Sequence, residues 1–331
     1  MSYIFVFSVA FISVILLLPS CIKASYRLNI LSRSKREEKS KPCLGGAAIY
    51  IALLAALLVA CFLKPEVNNR LLGLALPSAM IIILGLVDDI KDLKPSIKIV
   101  VELLGIAFLI LTGFVTKISF LPPWANVMVT FIWMLFIINA FNLLDIVDGL
   151  TSGLVIIISL TLLTISLINK DVFSGVVLAA IIGAHLGFLK YNYPPAKIYM
   201  GDAGSLFSGF LLAAVAISIS YAPVERPVSL ITPILAMSLP IYDTLFLVIM
   251  RIKTRKPIFR KTDDHFALRL VTMGHSVRRS IWIMYAFSIF LAVSSLIVAF
   301  GSNVIGIFII GIVTLVFIFM GRKVGVVKVN D

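Results

Sequence analysis

The sequence predicts an all-α polytopic integral membrane protein with about eleven transmembrane helices. Three observations carry that prediction. Of 331 residues, 60% are hydrophobic and 14% charged, with mean hydropathy +1.10, whereas a soluble domain carries about 25% charged residues. The apolar residues gather in stretches near the roughly 20 residues that one helix needs to cross a bilayer. The charges between those stretches are segregated, rich on alternate connections and sparse on the others. Together these exclude a water-soluble globular domain, a disordered chain, collagen and a disulfide scaffold. Cys21, Cys43 and Cys61 form no CxxC pair and read as small apolar residues.

The spans follow in order. The first, 3–20, has no basic segment before it and no small-x-small site after it, so it is expected to remain uncleaved. The second, 44–63, opens on "KPCLGG", whose Gly45 and Gly46 would let the backbone approach a ligand closely. The third, 71–87, ends in "LGLVDDIKDLKP", and the fourth, 97–114, carries Glu102. The fifth and sixth, 125–143 and 149–169, are joined by "NAFNLLDIVDGLTSG". The seventh, 173–190, carries His185, and "NYPPAKIYMGDAGS" leads into the eighth, 205–221. In the ninth, 230–250, Pro240 is expected to kink the helix and Asp243 to bond the backbone groups this frees. The last two are 280–300 and 303–320. No internal repeat is visible, and residues 1–331 read as one transmembrane domain.

One face would hold the connections 21–43, 88–98, 144–148, 190–204, 251–279 and the tail 321–331. These carry 24 of the 29 Lys and Arg residues. By the positive-inside rule that face is cytoplasmic, with the N-terminus outside and the C-terminus inside. The net charge of +13 is then mostly topology, with some attraction to anionic headgroups, and implies no nucleic-acid partner.

The acids are more informative. Asp88, Asp89, Asp92, Asp145, Asp148, Asp202, Asp263 and Asp264 all map to that face, several at span ends. Carboxylates without cysteine and with few histidines suit a hard cation such as Mg²⁺ or Mn²⁺, and Mg²⁺ on few carboxylates implies a phosphate-bearing substrate. Lys41, Lys91, Lys94, Lys98, Lys190, Lys197, Arg260, Lys261 and Arg269 share the face and would neutralise phosphate oxygens. On a helix, Asn142, Asp145 and Asp148 would fall on one strip; Asp148 could at the same time cap the sixth span. Glu102, His185 and Asp243 lie inside spans, where ionisable residues are functional candidates by default, although His185 reads rather as a packed core residue.

With these motifs in this order, the chain resembles the polyprenyl-phosphate N-acetylhexosamine-1-phosphate transferases, glycosyltransferase family 4. That family includes phospho-MurNAc-pentapeptide translocase and the GlcNAc-1-phosphate transferases that initiate O-antigen, enterobacterial common antigen and teichoic acid. The resemblance runs from about residue 41 to 280, through "KPCLGG", "VDDIKDLKPSIK", "NAFNLLDIVDGL", "GFLKYNYPPAKIYMGDAGSL" and "PIYDTLF". It implies that Asp202 is the Mg²⁺ ligand and that Asp88 and Asp89 form the acidic pair near the metal and the lipid phosphate. Lys98 would contact phosphate. Asn142, Asp145 and Asp148 match the nucleotide strip, with Asp145 counted in the catalytic set. Asn192 and Tyr199 match positions lining the uracil pocket, with Lys41 nearby. Two departures stand out. His265 matches the first residue of a His-x-His-His cluster whose other histidines are here Ala267 and Leu268; Arg260, Lys261 or Arg269 would supply the lost contact. Ile146 stands where a Gly is usual.

The expected activity is transfer of a sugar 1-phosphate from a UDP-sugar to undecaprenyl or another polyprenyl phosphate, with release of UMP, at the cytoplasmic face of a bacterial inner membrane. Expected partners are the UDP-sugar, the lipid, the bilayer and a second copy in a homodimer. Two alternatives remain open at this point: a transporter or lipid flippase using Glu102, His185 and Asp243 as its relay, and an inactive family member acting as an assembly partner.

Overall fold

A computed structural model describes residues 1–32, 40–222, 225–253, 255 and 265–327; Arg260, Lys261, Asp263 and Asp264 lie outside them. Among the described residues the only extended pairing is an isolated bridge between Leu31 and Pro42, and everything else regular is helical. The chain folds as two compact units, Met1–Ser220 and Tyr221–Asp331.

The first unit holds α1 (Ser2–Arg27), α2 (Gly45–Leu63), α3 (Asn68–Lys91), α4 (Pro95–Leu111), α5 (Pro123–Leu144), α6 (Leu150–Ile168), α7 (Val172–Asn192) and α8 (Gly201–Ser218). Local signals set several starts. Pro95 and Pro123 open α4 and α5 at positions whose backbone N–H would have no helical partner. The Asp171 carboxylate caps α7 by accepting from Ser174 N at 3.1 Å. Within this unit α7 and α8 are the most enclosed spans and α1 the least. Helix α8 packs against α2, α3 and α5, and α7 against α1, α2 and α6. Because lipid is as apolar as Leu, such contacts rely on small residues that let backbones close up. A Cβ at Gly46 would strike Gly204 and come within 2.7 Å of Met200 O. One at Gly85 would strike Ala203 and lie 2.8 Å from the carbonyl carbon of Asp202. The first turn of α8 is thus clamped between α2 and α3.

The second unit holds α9 (Thr232–Ala236), α10 (Ser238–Lys253), α11 (Phe266–Thr272), α12 (Val277–Phe300) and α13 (Asn303–Gly325). Among the described residues nine helices are long and apolar enough to cross a membrane. The eleven expected spans resolve as these nine, the short α4, and a broken one. The 17 residues of α4 end at Leu111, three residues before the expected boundary. The ninth span is two helical pieces, Pro227–Ala236 and Ser238–Lys253, bent by 72°. Pro240 explains the position of the break. It has no N–H to offer the carbonyl of Ala236, so the ladder fails there, and Ser238 Oγ turns back to Leu235 O at 2.6 Å.

Candidate active site

The expected acidic and basic residues of the first unit converge at the start of α8. Asp88 and Asp89 close α3, Lys98 lies in the first turn of α4, and Asp202 in the first turn of α8. The Lys98 ammonium forms an ion pair with Asp88 Oδ2 and donates to Asp202 Oδ2 at 2.7 Å. Asp88 Oδ1 accepts from Leu93 N at 2.7 Å, just past the end of α3. The Asp88 side chain is 3% exposed and that of Asp202 24%, so Asp202 is the member that meets solvent.

Asp89 differs from its neighbour. Its Oδ1 accepts from Asp202 N at 2.8 Å and its Oδ2 from Ala203 N at 3.2 Å. Both oxygens are spent on the N-terminus of α8, where backbone N–H groups lack helical partners and the dipole favours an anion. The sequence reading placed Asp89 in the catalytic set; the geometry makes it the clamp that orients Asp202. Gly201 is required beside it, because its φ is +70° and a Cβ there would strike the Asp89 carboxylate.

The connection after α5 also corrects the sequence reading. The helix ends at Leu144, and 145–149 form a non-helical turn. Asn142, Asp145 and Asp148 therefore do not share one helical strip. Asn142 Nδ2 donates to Ser205 Oγ at 3.0 Å, tying α5 to α8. Ser205 escaped the sequence reading; its signal is its place one turn after Asp202 in "GDAGS". Asp148 does not cap α6, whose N-cap is Gly149 with no side-chain bond. Instead Asp148 Oδ2 accepts from Ala196 N at 2.8 Å and lies 3.6 Å from Lys41 Nζ. Burial pushes the Asp145 carboxyl up to about 7, and the negative charges of Asp202 and Asp148 push the same way.

Lys41 also sits over the Tyr199 ring, 5.0 Å from its centroid. The Lys41 segment is fastened to that of Tyr199 by backbone bonds. Tyr199 N donates to Pro42 O at 2.8 Å, Gly45 N to Tyr199 O at 3.0 Å and Gly46 N to Met200 O at 2.9 Å. The close approach at Gly46 is thus to α8 rather than to a ligand. Asn192 is buried and braces this loop. Its Oδ1 accepts from Gly149 N and its Nδ2 donates to Ile198 O, both at 2.9 Å. With both ends of the amide on backbone, Asn192 supports the wall that carries Tyr199 and does not itself face a base as expected.

His265 and Arg269 belong to the second unit. His265 Nδ1 is 2.9 Å from Asp243 Oδ2, and Phe266 N donates to Asp243 Oδ1 at 2.8 Å. Asp243 therefore orients the ring and starts α11, a larger task than the bonding of kink-freed groups expected from sequence. Arg269 is 2% exposed. Its Nη1 donates to Val327 O at 2.6 Å and reaches Val324 O at 3.5 Å, and its guanidinium lies 5.3 Å from the Phe246 ring centroid. The expected phosphate contact is not its role here: it is buried against the carbonyls at the end of α13. Glu102 and His185 are each bonded to a side chain of another helix, Asn139 of α5 and Ser208 of α8.

The donor set fits a hard cation. One cation, the Lys98 ammonium, is already held by an oxygen from each of Asp88 and Asp202. Among the described residues no group of three or more His, Cys, Asp or Glu forms a ready ligand cage. Few protein oxygens, with positions left to substrate oxygens, is the usual Mg²⁺ arrangement.

Residues 71–220, which carry this cluster, match the profile of glycosyl transferase family 4. Over this region the chain is similar to glycosyl transferase family 4. A Bacillus subtilis (strain 168) protein named "Probable undecaprenyl-phosphate N-acetylglucosaminyl 1-phosphate transferase" is 29% identical, over 97% of this chain and 92% of its own. A Mycobacterium leprae decaprenyl-phosphate N-acetylglucosaminephosphotransferase is 28% identical, over 74% of this chain and 70% of its own. A phospho-N-acetylmuramoyl-pentapeptide-transferase of Caldicellulosiruptor bescii is 27% identical, over 78% and 82%. The family 4 profile ends at the boundary of the first unit, so the matched region holds Asp88, Asp89, Lys98, Asn142, Asp145, Asp148, Asn192, Tyr199 and Asp202.

Proposed function

We propose that this membrane protein is a phosphosugar transferase that moves a sugar 1-phosphate, an N-acetylhexosamine 1-phosphate, from a UDP-sugar to a polyprenyl phosphate and releases UMP. The observation that carries this reading is the Asp88–Lys98–Asp202 cluster clamped at the start of α8, inside a chain whose relatives are named as transferases to polyprenyl phosphate.

An oxygen of the lipid phosphate forms a bond to the β-phosphorus of the UDP-sugar. The bond from that phosphorus to the bridging oxygen breaks, and UMP leaves with the electron pair. A phosphate monoester has its second pKa near 6, so at neutral pH the nucleophile is already mostly dianionic and needs no protein base. This agrees with the occupation of both carboxyls, Asp89 on backbone and Asp88 on Leu93 N and Lys98. Lys98 balances the charge of Asp88 and Asp202 while the metal is absent, and Asp89 holds Asp202 in place. Mg²⁺, held by Asp202 with Asp88, would neutralise charge on the diphosphate when bound. Lys41 and Tyr199 give a cation and an aromatic face for the nucleotide end. The cluster faces the cytoplasm of a bacterial inner membrane in this reading, supported by the 24 Lys and Arg residues on that set of connections. A reporter fused after Asp331 that is active only outside the cell would overturn the orientation.

The test is UMP release by purified protein given undecaprenyl phosphate, Mg²⁺ and a panel of UDP-sugars. Release that needs the lipid and favours a UDP-N-acetylhexosamine supports the reading; no release with any donor refutes it.

A further inference from the structure

Lys98 occupies a position that a divalent cation would compete for. Its ammonium takes Oδ2 of Asp88 and Oδ2 of Asp202, the latter at 2.7 Å. An ammonium and a divalent ion cannot share those oxygens cheaply. Like charges that close repel strongly in a partly buried site, where the effective dielectric is well below that of water. Entry of a metal therefore requires Lys98 to leave, and a cation leaving a part-buried cluster needs another anion within reach.

A carboxyl that would serve lies one helical turn further along α4. Glu102 is four residues from Lys98, on the same face of the helix. It is fully buried, and its Oε2 accepts from Asn139 Nδ2 at 2.6 Å. Asn139 Nδ2 also donates to Leu135 O at 2.9 Å, which fixes the amide on α5. Glu102 Oε1 is closed off from solvent and has no hydrogen-bond partner among the described residues. A buried oxygen left this way is costly unless another state of the protein satisfies it. Neither the transfer step nor the packing of α4 on α5 uses that oxygen.

We propose that Lys98 is an exchangeable resident cation: it holds Asp88 and Asp202 together in the metal-free protein, and when a divalent ion takes their oxygens its ammonium moves along α4 to the unpaired oxygen of Glu102. The proposal rests on the reading of Asp202 as the metal ligand. It makes Glu102 a positioning residue that acts on the metal site only through Lys98, and it keeps the site assembled between turnovers. The exchange also withdraws the lysine's charge from the metal without ejecting it into lipid.

The experiment is Mn²⁺ binding to purified, detergent-solubilised protein without substrate, followed by the electron paramagnetic resonance signal of the free ion. Four variants, with a fifth held as a substitute for one of them, are compared with the wild type. Asp202→Asn should lose binding; if it binds as the wild type does, the metal reading itself falls. With that control in place, Lys98→Met should bind Mn²⁺ at least about tenfold more tightly, because the competing cation is gone. Lys98→Gln carries the same expectation if the Met variant does not purify folded. Glu102→Gln should bind several-fold more weakly, and this loss should vanish in the Lys98→Met/Glu102→Gln double variant. A Lys98 variant that binds no more tightly than the wild type overturns the exchange. A Glu102→Gln loss that persists without Lys98 overturns the role given to Glu102.

Discussion

Gly85→Ala tests the packing that places Asp202. A Cβ at 85 would strike Ala203 Cα and lie 2.5 Å from Ala203 N and 2.8 Å from the carbonyl carbon of Asp202. All three are backbone atoms, so no side chain can swing aside. Ordinary van der Waals contact begins near 3.4 Å, so α3 and the first turn of α8 must separate by about 1 Å. Asp89 lies one turn beyond Gly85 on α3, and its bonds to Asp202 N and Ala203 N are 2.8 and 3.2 Å. A shift of about 1 Å takes both beyond the useful range of an N–H···O bond, and Asp202 loses its clamp. A misplacement of that size at a reacting centre costs about 10² in rate, or about 2.7 kcal/mol in the barrier. Overpacking adds about 1–3 kcal/mol of instability. The assay is kcat/KM for UMP release alongside a thermal melt. Gly311→Ala is the control, since nothing lies within 4 Å of its would-be Cβ. It should leave activity unchanged and gain about 0.5–1 kcal/mol, because Gly is unfavourable in a helix interior. If Gly85→Ala keeps kcat/KM within about twofold of the wild type, against the ~10² expected, the close approach of α3 and α8 does not set the site.

Two further outcomes follow from the geometry. Arg269→Ala removes a buried guanidinium from the carbonyls of Val324 and Val327; charge-assisted bonds contribute about 1.5–3 kcal/mol each, so the melting temperature should fall, and an unchanged melt with reduced turnover would return Arg269 to the substrate. Asp145, with its carboxyl raised to about 7, binds its proton more tightly folded than unfolded. Its ionisation therefore destabilises the metal-free protein as pH rises from about 4 to about 7. Asp145→Asn should gain stability over the wild type between about pH 5 and pH 8, and a constant difference across that range contradicts the burial of this carboxyl.

Much of this was legible in the sequence because membrane spans are long and their composition is extreme. The residues 88, 89, 98 and 202 were found as candidates because charged groups at span ends are conspicuous among apolar ones. Pro240 announced the break in the ninth span, one turn before itself, where its missing N–H leaves Ala236 O without its helical partner. What escaped depended on partners far away in the chain. Asp88 and Asp89 are adjacent and chemically identical. Which one pairs with Lys98 and which caps α8 is decided by the turn of α3 against α8, a separation of more than 100 residues. Asn192 was offered only by the resemblance, as a pocket-lining position, and nothing local shows that Gly149 N and Ile198 O will take both ends of its amide. Arg269 looked like a phosphate-binding cation in a basic loop. Its burial against the end of α13 is a tertiary fact that a charge count cannot supply. The strip of Asn142, Asp145 and Asp148 failed because helical spacing was extended past Leu144, where the helix stops.

The most direct test of the account is the fate of the β-phosphorus. UDP-GlcNAc labelled there with ³²P is given to purified protein with undecaprenyl phosphate and Mg²⁺, and the lipid extract is counted against UMP released. Phosphosugar transfer at the Asp88–Lys98–Asp202 cluster predicts label in the lipid in a one-to-one ratio with UMP, and none of either with Asp202→Asn. Label left behind in UDP while the sugar reaches the lipid, or Asp202→Asn turning over as the wild type does, would contradict it.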